Sequence, residues 1–215
     1  MLALELTHRV ATSLGLNGGD AYNLGYVAAL AGVLGARAGF VLLNWPAFRS
    51  NFSSIVALTA DGLSPAAGLA AALLTGLAFA QRKGMASRRL LDALAPGLVV
   101  IAAGLALADL ASGSSYGAPT TLPWAIEQWG ALRHPVQVCL LAIAAIGLLV
   151  LRMSRPFDGA HFGLFVALYA AQALFLEAFH GDSAFVGDVR AVQAASLIVL
   201  MAALALLRRW ATRVT

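Results

Sequence analysis

Three ionisable residues stand inside long apolar stretches of the chain: Arg37, Asp109 and Glu177. A charged side chain is costly within a membrane, so such a residue usually has a partner or a function there. One cation and two carboxylates at one depth can neutralise and orient one another. Two interpretations stay open, an ion pair that holds helices together while reaching toward the surface and a functional site.

The ends of the apolar stretches and the loops beside them carry further polar side chains: Tyr116, Arg133, His134, Tyr169 and His180. They bring a guanidinium, imidazoles and phenols to the level of the carboxylates. Groups of these types, facing the headgroup zone of a membrane, are suited to binding an anion through charge-assisted hydrogen bonds. The set therefore indicates a site for an anionic lipid.

The remaining chemistry-bearing residues point to no metal or cofactor. The four histidines, at positions 8, 134, 161 and 180, lack the short spacings that metal ligands share. Cys139 is the only cysteine, which excludes an internal disulfide, and its apolar neighbours favour a small buried side chain. Isolated glycine-rich stretches lack the strand context of a phosphate-binding loop. We expect no metal, no cofactor and no nucleic acid partner.

The elements that must position these residues are membrane helices. Of the 215 residues, 60% are hydrophobic and 11% are charged, whereas about a quarter of the residues in a soluble domain are charged. This composition excludes a water-soluble enzyme. The excess of Lys and Arg over Asp and Glu is then weak evidence for binding to nucleic acid, because the cytoplasmic loops of a membrane protein carry the same excess of basic residues.

Apolar runs long enough to span a bilayer, about 20 residues each, divide the chain. We predict an all-α polytopic membrane helix bundle, a single domain over 1–215 with about six transmembrane helices. A short interfacial helix in the first thirteen residues precedes them, Asp20 is a candidate N-cap of the first span, and a long outer loop runs from Ser112 to His134. The predicted spans are 24–44, 65–81, 92–112, 135–151, 160–180 and 190–207.

Small residues are frequent in most of these spans, and in a membrane they let helices approach closely. We therefore predict a packing role for six glycines of the first three spans, which are Gly32, Gly35, Gly39, Gly68, Gly76 and Gly104.

The distribution of Lys and Arg predicts the orientation, because cytoplasmic loops carry the excess of basic residues. Arg49, Arg133 and Arg190 fall in loops assigned to the outside, and Arg37 lies within a span. The side that we assign to the cytoplasm holds both termini and the other ten basic residues, which are Arg9, Arg82, Lys83, Arg88, Arg89, Arg152, Arg155, Arg208, Arg209 and Arg213. The three ionisable residues within spans then lie at outer-leaflet depth.

Several motifs, taken together, resemble the prolipoprotein diacylglyceryl transferase family in order and spacing along almost the whole chain. The most specific are Asp92–Ala93–Leu94–Ala95–Pro96–Gly97–Leu98 and Arg133–His134–Pro135 followed by Gln137. The others are Gly35–Ala36–Arg37 with Gly39–Phe40–Val41, Ser114–Ser115–Tyr116–Gly117, Pro123–Trp124–Ala125, and Tyr169 with Glu177 and Gly181–Asp182. The family has a further N-terminal span whose inner end aligns with the first ten residues, so we expect one span fewer here.

The resemblance implies a multi-pass protein of the bacterial inner membrane that transfers a diacylglyceryl group from phosphatidylglycerol to a prolipoprotein cysteine at the outer leaflet. Such a reaction needs a cationic clamp on the phosphate leaving group and a base for the thiol. The agreement with the charges found above favours a functional site. The catalytic candidates are Asp109, Glu177, His134 and His180, and the lipid-binding candidates are Arg37, Tyr116, Arg133 and Tyr169.

Three positions that carry polar groups in the family carry alanine in this chain. Ala66 stands at a histidine, Ala106 at an arginine, and Ala173 at an arginine four residues before the glutamate. Asp109 stands at an asparagine, and His180 at a further arginine. Losing one donor from a preorganised anion site costs roughly 10²–10³-fold in rate, so these departures argue against the parent reaction.

Two functions therefore remain. We favour a non-catalytic relative that binds an anionic phospholipid such as phosphatidylglycerol and acts as an accessory subunit, with other membrane subunits as candidate partners. The alternative is an active transferase with a rearranged site, in which His134, Arg133 or His180 replaces the lost groups. A conventional transferase in the same genome would favour the first function, and its absence would favour the second.

Overall fold

The computed structural model describes residues 1–49, 52–57, 59, 62–85, 87–153, 156–181 and 184–212, most of which are helical. Three residues named above, Arg155, Asp182 and Arg213, lie outside the described residues. The helices are α1 Leu2–Ser13, α2 Gly18–Leu43, α3 Trp45–Phe48, α4 Pro65–Arg82, α5 Ser87–Ser112, α6 Val136–Met153, α7 Ala160–Leu176 and α8 Ala191–Ala211. Short 3₁₀ helices cover Phe52–Ile55 and Glu177–Phe179.

The described helices include four that are long and apolar enough to cross a membrane. They are Gly18–Leu43, Arg88–Ser112, Ala160–Phe179 and Ala191–Ala211, and Val136–Arg152 is a shorter apolar helix. A helix lies at each of the six predicted spans. The predicted all-α polytopic membrane bundle is therefore confirmed.

The first long helix begins earlier than the sequence predicted, at Gly18 rather than at residue 24. Asn17 has extended backbone, and its side-chain oxygen accepts a hydrogen bond from the Asp20 N–H at 3.2 Å. Asn17 is therefore the N-cap, and the prediction that Asp20 fills this position was wrong. Asp20 lies in the first turn, where a carboxylate stabilises the positive end of the helix dipole.

The chain folds into two compact units, a smaller one of His8–Leu90 and a larger one of Met1–Thr7 with Leu91–Thr215. The single domain that the sequence indicates stays a prediction.

In the smaller unit, α2 and α4 pack through residues without large side chains. A Cβ on Gly35 would lie 2.3 Å from the Ala71 Cβ, and one on Gly39 would lie 2.2 Å from the Ala67 Cβ. Such separations are far below van der Waals contact, so only glycine permits this approach. Gly104 of α5, in contrast, has nothing within 4 Å of a built Cβ among the described residues, and the packing role predicted for it was wrong. The same α2–α4 interface includes Gly32, Gly68 and Gly76.

In the larger unit, a buried cluster joins α5 and α6, and α7 packs along α8. The cluster consists of Ala95, Val99, Ala144 and Leu151. At the α7–α8 contact, a Cβ on Gly163 would meet the Leu207 side chain at 2.4 Å, so this glycine sets how closely the helices approach.

The start of α7 is capped by a side chain from α5. Asp92 is fully buried, and its carboxylate oxygens accept the backbone N–H groups of Gly159 at 2.7 Å and Phe162 at 3.1 Å. These donors have no partner within their own helix. Gly159 has a φ of 97°, a left-handed conformation that glycine adopts without strain. Asp92 therefore connects α5 to α7.

Two short hairpins extend from the helical part of the larger unit. β1, Ile126–Gln128, pairs antiparallel with β2, Ala131–Arg133, and both turn residues, Trp129 and Gly130, have positive φ. This is the pattern of a type I′ turn. β3, Phe185–Val186, pairs with β4, Val189–Arg190. The predicted outer loop thus contains a hairpin that the sequence analysis did not predict.

Candidate functional site

Polar residues from the loop after α5 and from the end of α7 meet in the larger unit. Backbone hydrogen bonds join the two segments, from Ala118 N–H to the Phe179 carbonyl at 2.7 Å and from Gly181 N–H to the Tyr116 carbonyl at 3.0 Å. The residues brought together here, which we call the polar cluster, are Tyr116, Arg133, His134, Glu177, His180 and Arg190.

Two glycines allow this close approach. Gly117 forms an isolated antiparallel bridge with His180, and a Cβ on Gly117 would lie 2.1 Å from the His134 carbonyl oxygen. A Cβ on Gly181 would lie 2.9 Å from the Tyr116 ring. The glycines of the Ser-Ser-Tyr-Gly and Gly-Asp motifs therefore serve to bring polar side chains together.

Arg133 is held by the hairpin and by the loop before it. Its Nε donates to the Gln128 carbonyl at 3.1 Å and its Nη1 donates to the Gly117 carbonyl at 3.2 Å. The guanidinium lies 4.6 Å from the centroid of the Tyr116 ring, which gives a cation–π contact. Its neighbour His134 packs against Phe179, with ring centroids 4.9 Å apart. The site thus holds a preorganised guanidinium on an aromatic ring.

Glu177 and His180 form an acid–imidazole pair at the end of α7. The Glu177 side chain is buried, with 7% of the residue exposed, and its Oε2 lies 3.6 Å from His180 Nδ1. The same nitrogen lies 3.2 Å from the Leu176 carbonyl oxygen. Both neighbours of Nδ1 are hydrogen-bond acceptors, which favours the tautomer with its proton on Nδ1 and leaves Nε2 as an acceptor.

Arg190 is the member of the polar cluster that the sequence did not predict as a site residue. Its Nη1 donates to the Glu177 carbonyl oxygen and lies 3.5 Å from the His180 carbonyl oxygen. The guanidinium also lies 5.5 Å from the Phe185 ring centroid. The sequence assigned Arg190 only to an outer loop. The only feature of the sequence that distinguishes Arg190 is its position directly before an apolar helix. The pairing of β3 with β4 positions its side chain in the polar cluster.

Gln137, from the Arg-His-Pro-x-Gln motif, is fully buried beside the start of α6. Its Nε2 donates to the Ser114 carbonyl at 2.9 Å. Its Oε1 has no hydrogen-bond partner among the described residues. This side chain ties the loop after α5 to α6, and it belongs to the frame of the polar cluster.

Two other candidates in the larger unit do not join the polar cluster through any contact among the described residues. Tyr169 packs on Phe165, with ring centroids 4.9 Å apart, and lines an apolar groove of about 340 Å³ between α7 and α8. The Asp109 carboxylate has no hydrogen-bond or ion-pair partner in the described part of the chain; its carbonyl accepts a hydrogen bond from Ser112.

Arg37 lies in the smaller unit and binds backbone. Its Nε donates to the Ile55 carbonyl at 2.8 Å and its Nη1 to the Gly62 carbonyl at 2.8 Å, while Nη2 donates to the carbonyl of Ser54. Its guanidinium also lies 5.3 Å from the Phe48 ring centroid. The charge within the predicted span is therefore stabilised by main-chain dipoles of the segment that follows α3.

The alanines at the family's polar positions occupy three different environments. Ala66 is exposed on α4, whereas Ala106 is buried in α5 at 3% exposure. Ala173 lines the apolar groove between α7 and α8, one helical turn before Glu177.

Comparison with known proteins agrees with the family resemblance that the sequence motifs indicate. A family model described as prolipoprotein diacylglyceryl transferase matches residues 1–209. The chain belongs to this family.

Relatives named phosphatidylglycerol–prolipoprotein diacylglyceryl transferase resemble the chain along most of its length. The protein of Finegoldia magna is 26% identical over 174 residues, which cover 79% of this chain and 70% of the relative. The protein of Clostridioides difficile is 26% identical over 202 residues, which cover 92% and 81%. That of Frankia alni is 30% identical over 199 residues, which cover 86% and 53%. This member of the diacylglyceryl transferase family is therefore a polytopic membrane protein.

Proposed function

We propose that the chain is an active transferase with a rearranged site, which moves a diacylglyceryl group from phosphatidylglycerol to the cysteine thiol of a lipoprotein precursor. The observation that carries the proposal is the pairing of a buried carboxylate, Glu177, with His180. The residue after His180, Gly181, is hydrogen-bonded to the backbone of Tyr116, whose ring contacts the Arg133 guanidinium. The names of the relatives supply the donor and the acceptor classes.

His180 is the base in this proposal. The thiolate is the nucleophile, so the thiol proton must move to an acceptor in the site. With Nδ1 facing the Leu176 carbonyl and the Glu177 carboxylate, Nε2 of His180 accepts that proton, and Glu177 stabilises the resulting imidazolium. A positioned base contributes roughly 10²–10⁴-fold in rate.

Arg133 supplies positive charge for the phosphate. The thiolate sulfur forms a bond to the terminal glycerol carbon of the diacylglyceryl group, and the bond from that carbon to the phosphate oxygen breaks. The electron pair of the broken bond leaves with glycerol phosphate. A guanidinium already held by the Gln128 and Gly117 carbonyls stabilises this charge without reorganisation, as in other preorganised anion sites.

The phospholipid reaches this site from the outer leaflet of a bacterial inner membrane, with both chain termini in the cytoplasm. Tyr116 and Arg133 bind its headgroup. Tyr169, in the apolar groove below Glu177, contacts its apolar part. Arg37, in the smaller unit, holds carbonyls of the segment after α3 and is the lipid-binding candidate of that unit.

The test uses the purified protein in vesicles of phosphatidylglycerol and phosphatidylcholine, with a synthetic lipobox peptide. Mass spectrometry should detect the added diacylglyceryl mass on the cysteine peptide and none on a matched serine peptide. Expression should also restore growth of a bacterium depleted of its own transferase. Retained phosphatidylglycerol with an unmodified peptide would contradict the proposal.

A second function, a non-catalytic accessory subunit, is favoured by one observation. Ala66, Ala106 and Ala173 stand where the family resemblance places polar groups, and none of their side chains can hold an anion. In this case the polar cluster binds an anionic phospholipid without turnover, and another membrane subunit co-purifies in mild detergent. Peptide modification by the protein alone would exclude this function.

A further inference from the structure

The strand β1 has one paired edge and one open edge. Its paired edge faces β2, and the segment that contains Pro119 and Thr120 lies on the far side of β2. In the part of the chain that the structure describes, no strand pairs with the other edge of β1. Such an edge presents N–H and C=O groups to which another extended chain can hydrogen-bond.

Glu127 carries the hydrogen-bonding groups of the open edge. In an antiparallel pair, residues that exchange hydrogen bonds with the partner strand alternate with residues whose backbone groups point away from it. The two-residue turn makes Gln128 and Ala131 an exchanging pair. Glu127 and Leu132 then form the next pair, whose backbone groups point outward. The Leu132 carbonyl agrees with this register, because it accepts the Thr120 N–H at 2.9 Å on the far side of β2.

We propose that the open edge of β1 binds the lipoprotein precursor as an added strand, through the extended segment that flanks its cysteine. The inference rests on the proposed function and deepens it, because it names the surface that takes the polypeptide substrate. A polypeptide offers a main-chain donor and acceptor to such an edge at every second residue, which a lipid does not.

The position of β1 and the side chains around it favour this occupant. The open end of the hairpin lies at Arg133 of the polar cluster, which pairs with Ile126, so a strand added along β1 continues toward that cluster. Trp124 and Trp129 flank β1 in the chain, and Leu132 lies opposite Glu127. These three side chains are exposed, and they give an apolar peptide a surface to contact beside the edge.

An edge that avoids pairing is the competing explanation, because proteins discourage edge-to-edge contact with short strands and charged side chains. β1 has three residues, and the side chain of Glu127 is exposed. The two explanations differ in the atoms that matter. Binding of a strand uses the backbone N–H of Glu127, whereas protection of the edge uses its carboxylate. Proline at this position removes the N–H and keeps the hairpin, because this N–H does not point toward β2.

The experiment measures binding of a fluorescent lipobox peptide, with serine in place of its cysteine, to the full chain in vesicles of phosphatidylglycerol and phosphatidylcholine. Fluorescence anisotropy is the readout, and vesicles without protein give the background. Two further peptides carry backbone N-methyl groups, one at the odd and one at the even positions. The variant is Glu127→Pro, and its matched control is Glu127→Ala. The cysteine form of the peptide is assayed for modification in parallel.

We expect only one of the two N-methylated peptides to bind the wild type more weakly than the parent peptide, because alternate N–H groups of a strand face its neighbour. Glu127→Pro should weaken binding of the parent peptide roughly fivefold, the usual scale for one hydrogen bond. Glu127→Ala should bind it as the wild type does. Equal binding of the two N-methylated peptides, or undiminished binding by a folded Glu127→Pro variant, would overturn the proposal.

Folding is checked by thermal melting in detergent. The N-methylated peptides need no variant, so they carry the test if Glu127→Pro does not fold. A dimer in detergent that Glu127→Pro dissociates would assign the edge to a second copy of the chain and overturn the proposal. Edge-dependent binding without modification of the cysteine peptide refutes the transferase function but leaves the binding edge in place. Modification of that peptide with the same KM in Glu127→Pro and in the wild type does the reverse.

Discussion

Arg37 shows which part of a residue's environment can be predicted from its type and position in the sequence. Its position in an apolar stretch predicted that the charge must be compensated, and carboxylates were the partners visible in the sequence. The compensation described by the structure comes from carbonyls of Ser54, Ile55 and Gly62. Every residue carries a carbonyl, so no pattern of side chains could have singled out these three.

The polar cluster was more predictable, because its members belong to motifs. Tyr116, Arg133, His134, Glu177 and His180 were all named from their types and positions. Arg190 was not, because its role depends on a hairpin of two-residue strands that leaves almost no periodic signal.

The proposed base, His180, can be tested by a substitution that removes its proton acceptor. His180→Gln should abolish peptide modification while leaving retention of phosphatidylglycerol within about twofold, because glutamine keeps a polar side chain but cannot carry the thiol proton at neutral pH. The measurement is the mass of the peptide after incubation, with extracted lipid quantified in parallel. His8→Gln, in α1, serves as the control. If His134→Gln abolishes modification and His180→Gln does not, the base has been assigned to the wrong imidazole.

Hydrophobic patterning predicted the helices of this protein but not the start of α2 or the β1–β2 hairpin. Each apolar run became a helix, because the hydrophobic length of a span is a property of the local sequence. The start of α2 was missed, because Asn17 caps it and the polar first turn lacks an apolar pattern. The β1–β2 hairpin was missed for a different reason, since Trp129 adopts a positive φ that only its tertiary setting stabilises.

The α2–α4 interface supports a prediction with a matched control. Gly35→Ala should lower the melting temperature in detergent, because the new Cβ would lie 2.3 Å from the Ala71 Cβ and force the helices apart. Overpacking of this kind costs about 1–3 kcal/mol. Gly104→Ala should be neutral or stabilising, since its Cβ meets nothing within 4 Å in the described residues and alanine is the better helix former. Equal melting temperatures for the two variants would contradict the packing role of Gly35.

The cap that Asp92 of α5 provides for α7 stabilises the start of that helix. Asp92→Ala should destabilise the protein by about 1–3 kcal/mol, because the N–H groups of Gly159 and Phe162 lose their buried acceptor. Amide hydrogen exchange should rise first in the opening turn of α7. Asp92→Asn, which keeps one acceptor, should have the smaller effect, and Asp109→Ala should have almost none. Unchanged exchange at the start of α7 in Asp92→Ala would show that the cap is dispensable.

For the whole molecule, the sequence indicated the class of protein but not its internal division. Composition and the lengths of the apolar runs were enough for a polytopic helix bundle. One boundary between the two units lies after residue 90, within α5, and the other lies after Thr7, within α1. No linker, composition shift or glycine-rich stretch marks either boundary. Contacts that decide such a division arise between helices distant in sequence, and patterning along the chain does not record them.

The chemistry of the polar cluster depends on the orientation of the chain in the membrane. From the bias of basic residues we predict that Gly84 and the end of α8 lie in the cytoplasm and that the loop before β1 lies outside. The ion pair between Lys83 and Asp20, at 2.9 Å, brings the end of α4 to the start of α2, as this arrangement requires within the smaller unit. In a Cys139→Ser background, single cysteines at Gly84 and Thr212 should react with an impermeant thiol reagent only after the membrane is opened, whereas one at Ala118 should react in intact cells. The opposite pattern would place the polar cluster on the cytoplasmic face, where it could not meet the thiol of an exported lipoprotein, and the transferase proposal would fail with the orientation.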